Sequence, residues 1–236
     1  MSHMHSDTLK RTHAGEPADI REVRIPPIGL PGILHVLSDA YACVAFAHGS
    51  GSSRLSPRNL TVAQALNARG IATLLFDLLT AEEESDRNNV FDISLLAARL
   101  ADAVRWLDES PQISPLPIGL FGASTGAAAA IVAAARLGRR IGAIVSRGGR
   151  ADLAGDAFDQ VLTPTLLIAG GLDYDVIELN KYALARLRGP KALEIIPRAG
   201  HLFAEPGALD AVIQHAAVWF ERYLDARFET GARALG

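Results

Sequence analysis

The segment 116–137 constrains this chain more than any other, because it joins an apolar strand-like run, the turn Gly122-Ala-Ser-Thr-Gly126 and an alanine-rich helix former with no spacer between them. So sharp a reversal crowds side chains against the backbone, and a glycine on either side of Ser124 relieves the crowding. Ser124 is left at the tip of the turn, beside the unpaired N–H groups and positive dipole end of the helix that follows. The strand-turn-helix context is what gives a Gly-x-Ser-x-Gly pattern chemical meaning. Alone, the pentapeptide also fits a glycine-rich turn that merely ends a strand. A nucleophilic serine needs a base, and the base needs a carboxylate, so the rest of the chain has to supply both.

From residue 41 onward, strand-like and helix-like runs alternate. Residues 41–47 and 71–76 are continuous apolar runs, as strands covered on both faces should be. Further strand signals follow at 116–121, 141–145, 162–169 and 192–196. Between them, 61–69, 93–107, the run after Ser124, the segment through Ile177 and Leu187, and the stretch opened by Pro206 carry apolar residues at helical spacing. This alternation predicts an α/β fold with a mainly parallel central sheet of about seven or eight strands and helices on both faces. Residues 19–25 and 32–37 read as an antiparallel edge hairpin ahead of it. The organisation expected is a disordered N-terminal segment (1–19), one domain (20–228) and a frayed tail (229–236). With 236 residues, 49% of them hydrophobic, the chain can bury a core of that size. Only about sixteen residues separate the strand signals at 141–145 and 162–169, which leaves no room for a cap domain there. The acidic run 82–86 reads as a solvated loop placed to overhang the strand ends.

Composition removes several function classes. A formal net charge of -3 gives no basic field for nucleic acid. No run approaches the roughly 18 apolar residues of a membrane span, and the N-terminus lacks an apolar leader, so a soluble cytoplasmic protein is expected. Cys43, the single cysteine, lies in an apolar run and reads as core filler. No His/Cys/Asp/Glu cluster has ligand spacing, so neither metal nor cofactor is expected, and His3, His5 and His13 sit in the aperiodic N-terminus.

In a parallel sheet, ligands bind at the carboxyl ends of the strands. The loops at His48, Ser124, Arg147, Asp173 and His201 all fall there. Serine, acid and histidine occur in that order, each after a strand. His201 is the one histidine on a late post-strand loop. Asp173 is the preferred acid, three residues beyond its strand, while Asp175 stays available and would otherwise favour the start of the next helix. The loop His48-Gly-Ser-Gly-Ser-Ser53 can turn backbone N–H groups outward as oxyanion donors. Arg54, Arg58, Arg147 and Arg150 belong to neighbouring loops. Guanidinium groups there either hold an anionic substrate through two-point contacts or pin loops to carbonyls and to Asp77 or Asp152.

The motifs Gly-Ala-Ser-Thr-Gly (122–126), Gly-Gly-Leu-Asp-Tyr-Asp-Val (170–176) and Ala-Gly-His-Leu-Phe (199–203), in this order, resemble the α/β-hydrolase superfamily over about residues 20–225. More narrowly, Phe46-Ala-His-Gly-Ser-Gly-Ser-Ser-Arg-Leu-Ser-Pro-Arg-Asn59, Phe76-Asp-Leu-Leu-Thr80 and Ser146-Arg-Gly-Gly-Arg150 resemble its dienelactone-hydrolase-like branch, including members fused to or near phosphoribosyltransferases. Dienelactone hydrolase itself uses a cysteine nucleophile. Ser124 stands here instead, so lactone specificity does not carry over. The resemblance implies Ser124 as nucleophile, Asp173 as acid and His201 as base, with an oxyanion hole from the N–H groups of Thr125 and Ser50. The expected activity is a serine hydrolase acting on a small carboxylic ester or related acyl compound, its partner being that small molecule. A lactonase, thioesterase or amidase on the same triad, and a non-catalytic ligand-binding module, are the alternatives.

Overall fold

A computed structural model of the protein describes residues 19–226; the N-terminal histidines and the readings of the terminal segments lie outside the described residues. The strands are β1 (Asp19–Ile25), β2 (Leu30–Val36), β3 (Ala42–Ala47), β4 (Ile71–Phe76), β5 (Ile118–Ala123), β6 (Ile141–Arg147), β7 (Thr165–Gly170) and β8 (Lys191–Ile196). They form one sheet in the order β1-β2-β4-β3-β5-β6-β7-β8. β1 and β2 are the antiparallel edge pair that the sequence suggests, and β2 joins β4 antiparallel. From β4 to β8 every neighbouring pair is parallel.

The longer helices are α1 (Pro57–Asn67), α4 (Ile93–Asp108), α5 (Thr125–Leu137), α6 (Tyr174–Arg186) and α7 (Ala208–Leu224). Period-two alternation divides the strand side chains between two cores. Leu120, Ile144 and Leu167 face one way, beneath residues such as Leu100 of α4 and Ile131 of α5. Phe46, Phe121 and Val145 face the other, against Leu66 of α1 and Phe220 of α7. Both faces of β3, β4, β5 and β7 are buried throughout, which is why their sequences read as unbroken apolar runs.

One detail differs from the sequence reading. The acidic stretch after β4 is helical, forming α2 (Ala81–Ser85) and α3 (Arg87–Phe91). Its start is a capping box: the Glu83 N–H donates to Thr80 Oγ1, and the Thr80 N–H donates to Glu83 Oε2. A Thr-x-x-Glu spacing marks this start in the sequence, beside a charge run that by itself reads as a solvated loop. Between β6 and β7, the short connection that left no room for a cap domain forms 3-10 turns over Ala151–Gln160, anchored by the buried Phe158. No helix among the described residues is long and apolar enough to cross a membrane.

Cys43 sits inside β3 with no exposed surface. Burial pushes its thiol up to about 12, with Arg140 opposing the rise. A thiol held so far from its thiolate is a poor nucleophile. Cys43 should therefore stay unreactive toward dithiobis-nitrobenzoate at pH 8 in the folded protein and react fully in denaturant. Rapid labelling of the native chain would contradict its placement.

Candidate active site

The strand order reverses at β3, which lies between β4 and β5 although it precedes both. Chains leaving β3 and β5 therefore diverge to opposite sides and open a crevice between their ends. The register pairs Ala47 with Gly122, so the loop starting at His48 lies directly beside the turn carrying Ser124.

Ser124 has φ 51 and ψ -121, a left-handed conformation that a non-glycine residue holds only when its surroundings enforce it. Space for that turn depends on its two glycines. A methyl group on Gly122 would come within 2.5 Å of Ala127 Cα, and one on Gly126 within 2.1 Å of the Ala47 carbonyl oxygen. The loop from β6 braces the turn from the other side. Ser124 donates its N–H to the Arg147 carbonyl at 3.3 Å, and its own carbonyl accepts from the Arg150 N–H at 3.0 Å. Its side chain makes no capping bond to α5, so the hydroxyl is left for other work.

His201 Nδ1 lies 2.6 Å from Asp173 Oδ2. Asp173 stands at the N-cap position of α6, makes no side-chain bond to the helix and is largely shielded, whereas Asp175, in the first turn of that helix, is exposed. Of the two acids the sequence left open, Asp173 is the one paired with the histidine. The His201 loop is itself constrained. Arg198 and Phe203 both have positive φ, at 60 and 51, and Glu205 Oε1 accepts from the Gly200 N–H at 3.0 Å. A methyl placed on Gly148, next to the residue that bonds Ser124, would lie 3.6 Å from His201 Cε1, which puts the imidazole at the serine's edge of the sheet.

His48 has both ring nitrogens engaged. The Leu78 N–H donates to its Nε2 at 3.1 Å and its Nδ1 faces the Gly49 carbonyl at 3.0 Å, so the buried ring ties the loops after β3 and β4 together. Gly49 packs against Ser124, since a methyl there would come within 2.8 Å of Ser124 Cβ. The backbone N–H groups of Ser50 and Thr125 have no acceptor among the described residues, and both residues line a cleft of about 110 Å³. Leu78, Leu79, Val90 and Leu96 supply the apolar part of its wall. Val90 belongs to α3, so the excursion after β4 does overhang the strand ends.

The four arginines separate into two kinds. Arg54 donates to Asp77 through its backbone N–H at 2.7 Å and its guanidinium at 2.5 Å, and Arg150 grips Asp152 with two parallel bonds of 2.9 Å. Those two pin loops. Arg58 and Arg147 have no carboxylate partner among the described residues. Asn180, unremarked in the sequence, is fully buried on α6 and donates to the Gly149 carbonyl at 2.9 Å, which links the helix carrying Asp173 to the loop bracing Ser124. A buried asparagine among apolar helix positions gives no periodic signal.

A sheet that reverses its strand order, a serine on a strained strand-to-helix turn and a histidine-carboxylate pair on later loops define an α/β hydrolase. A dienelactone hydrolase from Anabaena variabilis is 51% identical, with a TM-score of 0.84 over 90% of this chain and 100% of that one. The chain belongs to the dienelactone-hydrolase-like family. A protein of Mycobacterium tuberculosis described as a phosphoribosyl transferase is 52% identical over 213 residues, 89% of this chain and 48% of that protein. The chain thus spans about half the length of the curated relatives it matches. Est1E from Butyrivibrio proteoclasticus shares the fold at 15% identity, with a TM-score of 0.71 over 88% of this chain and 99% of that one. No protein-family model matches the chain.

The 2.1 Å approach at Gly126 is to main chain, which cannot swing aside as a side chain would. Gly126→Ala should lower unfolding stability by roughly 3 kcal/mol, read as a reduced urea midpoint. An unchanged midpoint would show that the elbow tolerates a side chain at this contact.

Proposed function

We propose that the chain is a serine hydrolase that cleaves a small carboxylic ester through an acyl-enzyme on Ser124. The observation that carries this reading is the 2.6 Å contact between His201 Nδ1 and Asp173 Oδ2, at the sheet edge that also holds a serine forced to φ 51.

With Nδ1–H donated to Asp173, the lone pair on His201 Nε2 is the one available as a base. It takes the proton of Ser124 as Oγ attacks the ester carbonyl, while the Asp173 carboxylate stabilises the imidazolium that forms. The developing oxyanion accepts hydrogen bonds from the N–H groups of Thr125 and Ser50, which need no reorganisation in order to donate. Collapse of the tetrahedral intermediate expels the alcohol, protonated by His201. The same histidine then deprotonates a water that attacks the acyl-serine, releasing the carboxylic acid and restoring the serine.

The cleft bordered by Ser50 and Thr125 is small and largely apolar, which suits a short acyl group. The 51% identical relative is described as a dienelactone hydrolase, which places lactones beside open-chain esters as substrates to assay.

Ser124→Ala should abolish p-nitrophenyl acetate turnover and labelling by a fluorophosphonate. Asp173→Asn should reduce kcat by roughly 10³–10⁴, because the imidazole loses its tautomer control, whereas Asp175→Asn should leave it within about twofold. Equal losses in the two asparagine variants would remove Asp173 from the assigned role. Across p-nitrophenyl esters, acetate and butyrate should exceed octanoate by at least about tenfold in kcat/KM if the 110 Å³ cleft takes the acyl group. A preference for octanoate would place the acyl chain elsewhere.

A further inference from the structure

Arg147 is only 8% exposed, and its Nη1 is completely buried without a hydrogen-bond partner. Arg58, near the start of α1, is half-buried, and its Nε is likewise buried and unpartnered. No described residue accepts a hydrogen bond from either guanidinium. The nearest aromatic support is Phe121, whose ring centroid lies 5.9 Å from the Arg147 Cζ, a contact that moderates but does not neutralise a charge. Burial pushes Arg147 down to about 10, and the positive charge of Arg58 pushes in the same direction. Two neighbouring cations, one of them buried, are therefore held together with no acid to offset them. That arrangement is costly, since a buried charge normally demands a partner.

The surroundings say where the missing partner comes from. Arg58 lines an open groove of about 650 Å³ together with Ser50, Ser56 and Leu202. Ser50 also borders the apolar cleft, and Leu202 follows His201, so the groove runs from the oxyanion loop to the base loop. Arg147 is paired in register with Ala123, the residue before the nucleophile. Glu84 lines the same groove but makes no ion pair with Arg58. An acyl group in the cleft leaves the groove for the alcohol side of the ester.

We propose that Arg58 and Arg147 together bind a dianionic phosphate group carried on the alcohol portion of the substrate. Charge decides between phosphate and carboxylate: two unpaired guanidiniums are balanced by a dianion, while a carboxylate leaves one buried cation uncompensated. Arg54 and Arg150, already bonded to Asp77 and Asp152, take no part. The placement on the substrate rests on the ester-hydrolase reading; the anion site itself does not.

The test has a binding arm and a turnover arm. Inorganic phosphate at about 100 times its Kd should raise the thermal midpoint of the native chain by roughly 5–10 °C at fixed ionic strength, and acetate should not. Arg147→Met and Arg58→Gln should each lose that rise, while Arg150→Gln keeps it. If Arg147→Met fails to fold, Arg58→Gln carries the comparison. An equal rise with acetate, or a rise surviving both substitutions, would overturn the site. In turnover, 2-acetoxyethyl phosphate should be preferred over 2-acetoxyethanol, and Arg58→Gln should raise KM for the phosphate ester by about 10- to 100-fold without changing that for the neutral one. Phosphate binding that does not inhibit ester hydrolysis would overturn the placement on the substrate. Phosphate binding in a chain that hydrolyses no ester would overturn the hydrolase reading and support the site.

Discussion

The close approach of two strand ends governs the rest of this structure. β3 and β5 are hydrogen-bonded neighbours whose connections leave on opposite sides, and the turn after β5 has to fit into the space beside the loop after β3. Main-chain atoms of Gly122, Gly126 and Ala47 pack at distances that admit no side chain. That packing is what holds Ser124 at a positive φ, because relaxing it would drive the turn into its neighbours. A local strain is thus maintained by contacts made elsewhere, since a strained backbone persists only where its surroundings enforce it.

Around this fixed point, other elements contribute braces rather than chemistry. The loop after β6 bonds both the N–H and the carbonyl of Ser124. Asn180 ties that loop to α6, His48 joins the loops after β3 and β4, and Glu205 holds the turn before His201. Three of these four are buried or constrained polar groups whose partners are far along the chain. Their net energies are modest individually, but leaving any of them unmade inside the protein is costly. The site is rigid because each loop is bonded to a loop from a different strand.

Charge follows the same logic with one exception. Arg54 and Arg150 sit in loops of similar composition to those of Arg58 and Arg147, yet the first two find carboxylates and the second two do not. The division of space matches the division of charge. On one side of Ser50 the cleft is narrow and partly walled by Leu78, Leu79, Val90 and Leu96, and on the other it is open and carries the unpaired arginine of α1.

Local pattern determined a great deal: the unbroken apolar runs, the helical spacing and the glycines around Ser124 made the alternating sheet, its edge hairpin and the elbow readable, because burial on both faces and a tight reversal each leave a mark within a few residues. The order Ser124, Asp173, His201 was readable for the same reason, each residue following its own strand. The helices after β4 were missed because their charge masked the Thr80–Glu83 cap. Asp173 was already the preferred acid, but its pairing with His201, the bracing by Asn180, and the separation of the paired Arg54 from the unpaired Arg58 and Arg147 were decided only by tertiary structure. These depend on which loops meet across the sheet edge, between residues 23 to 31 positions apart, and no local spacing records such a meeting.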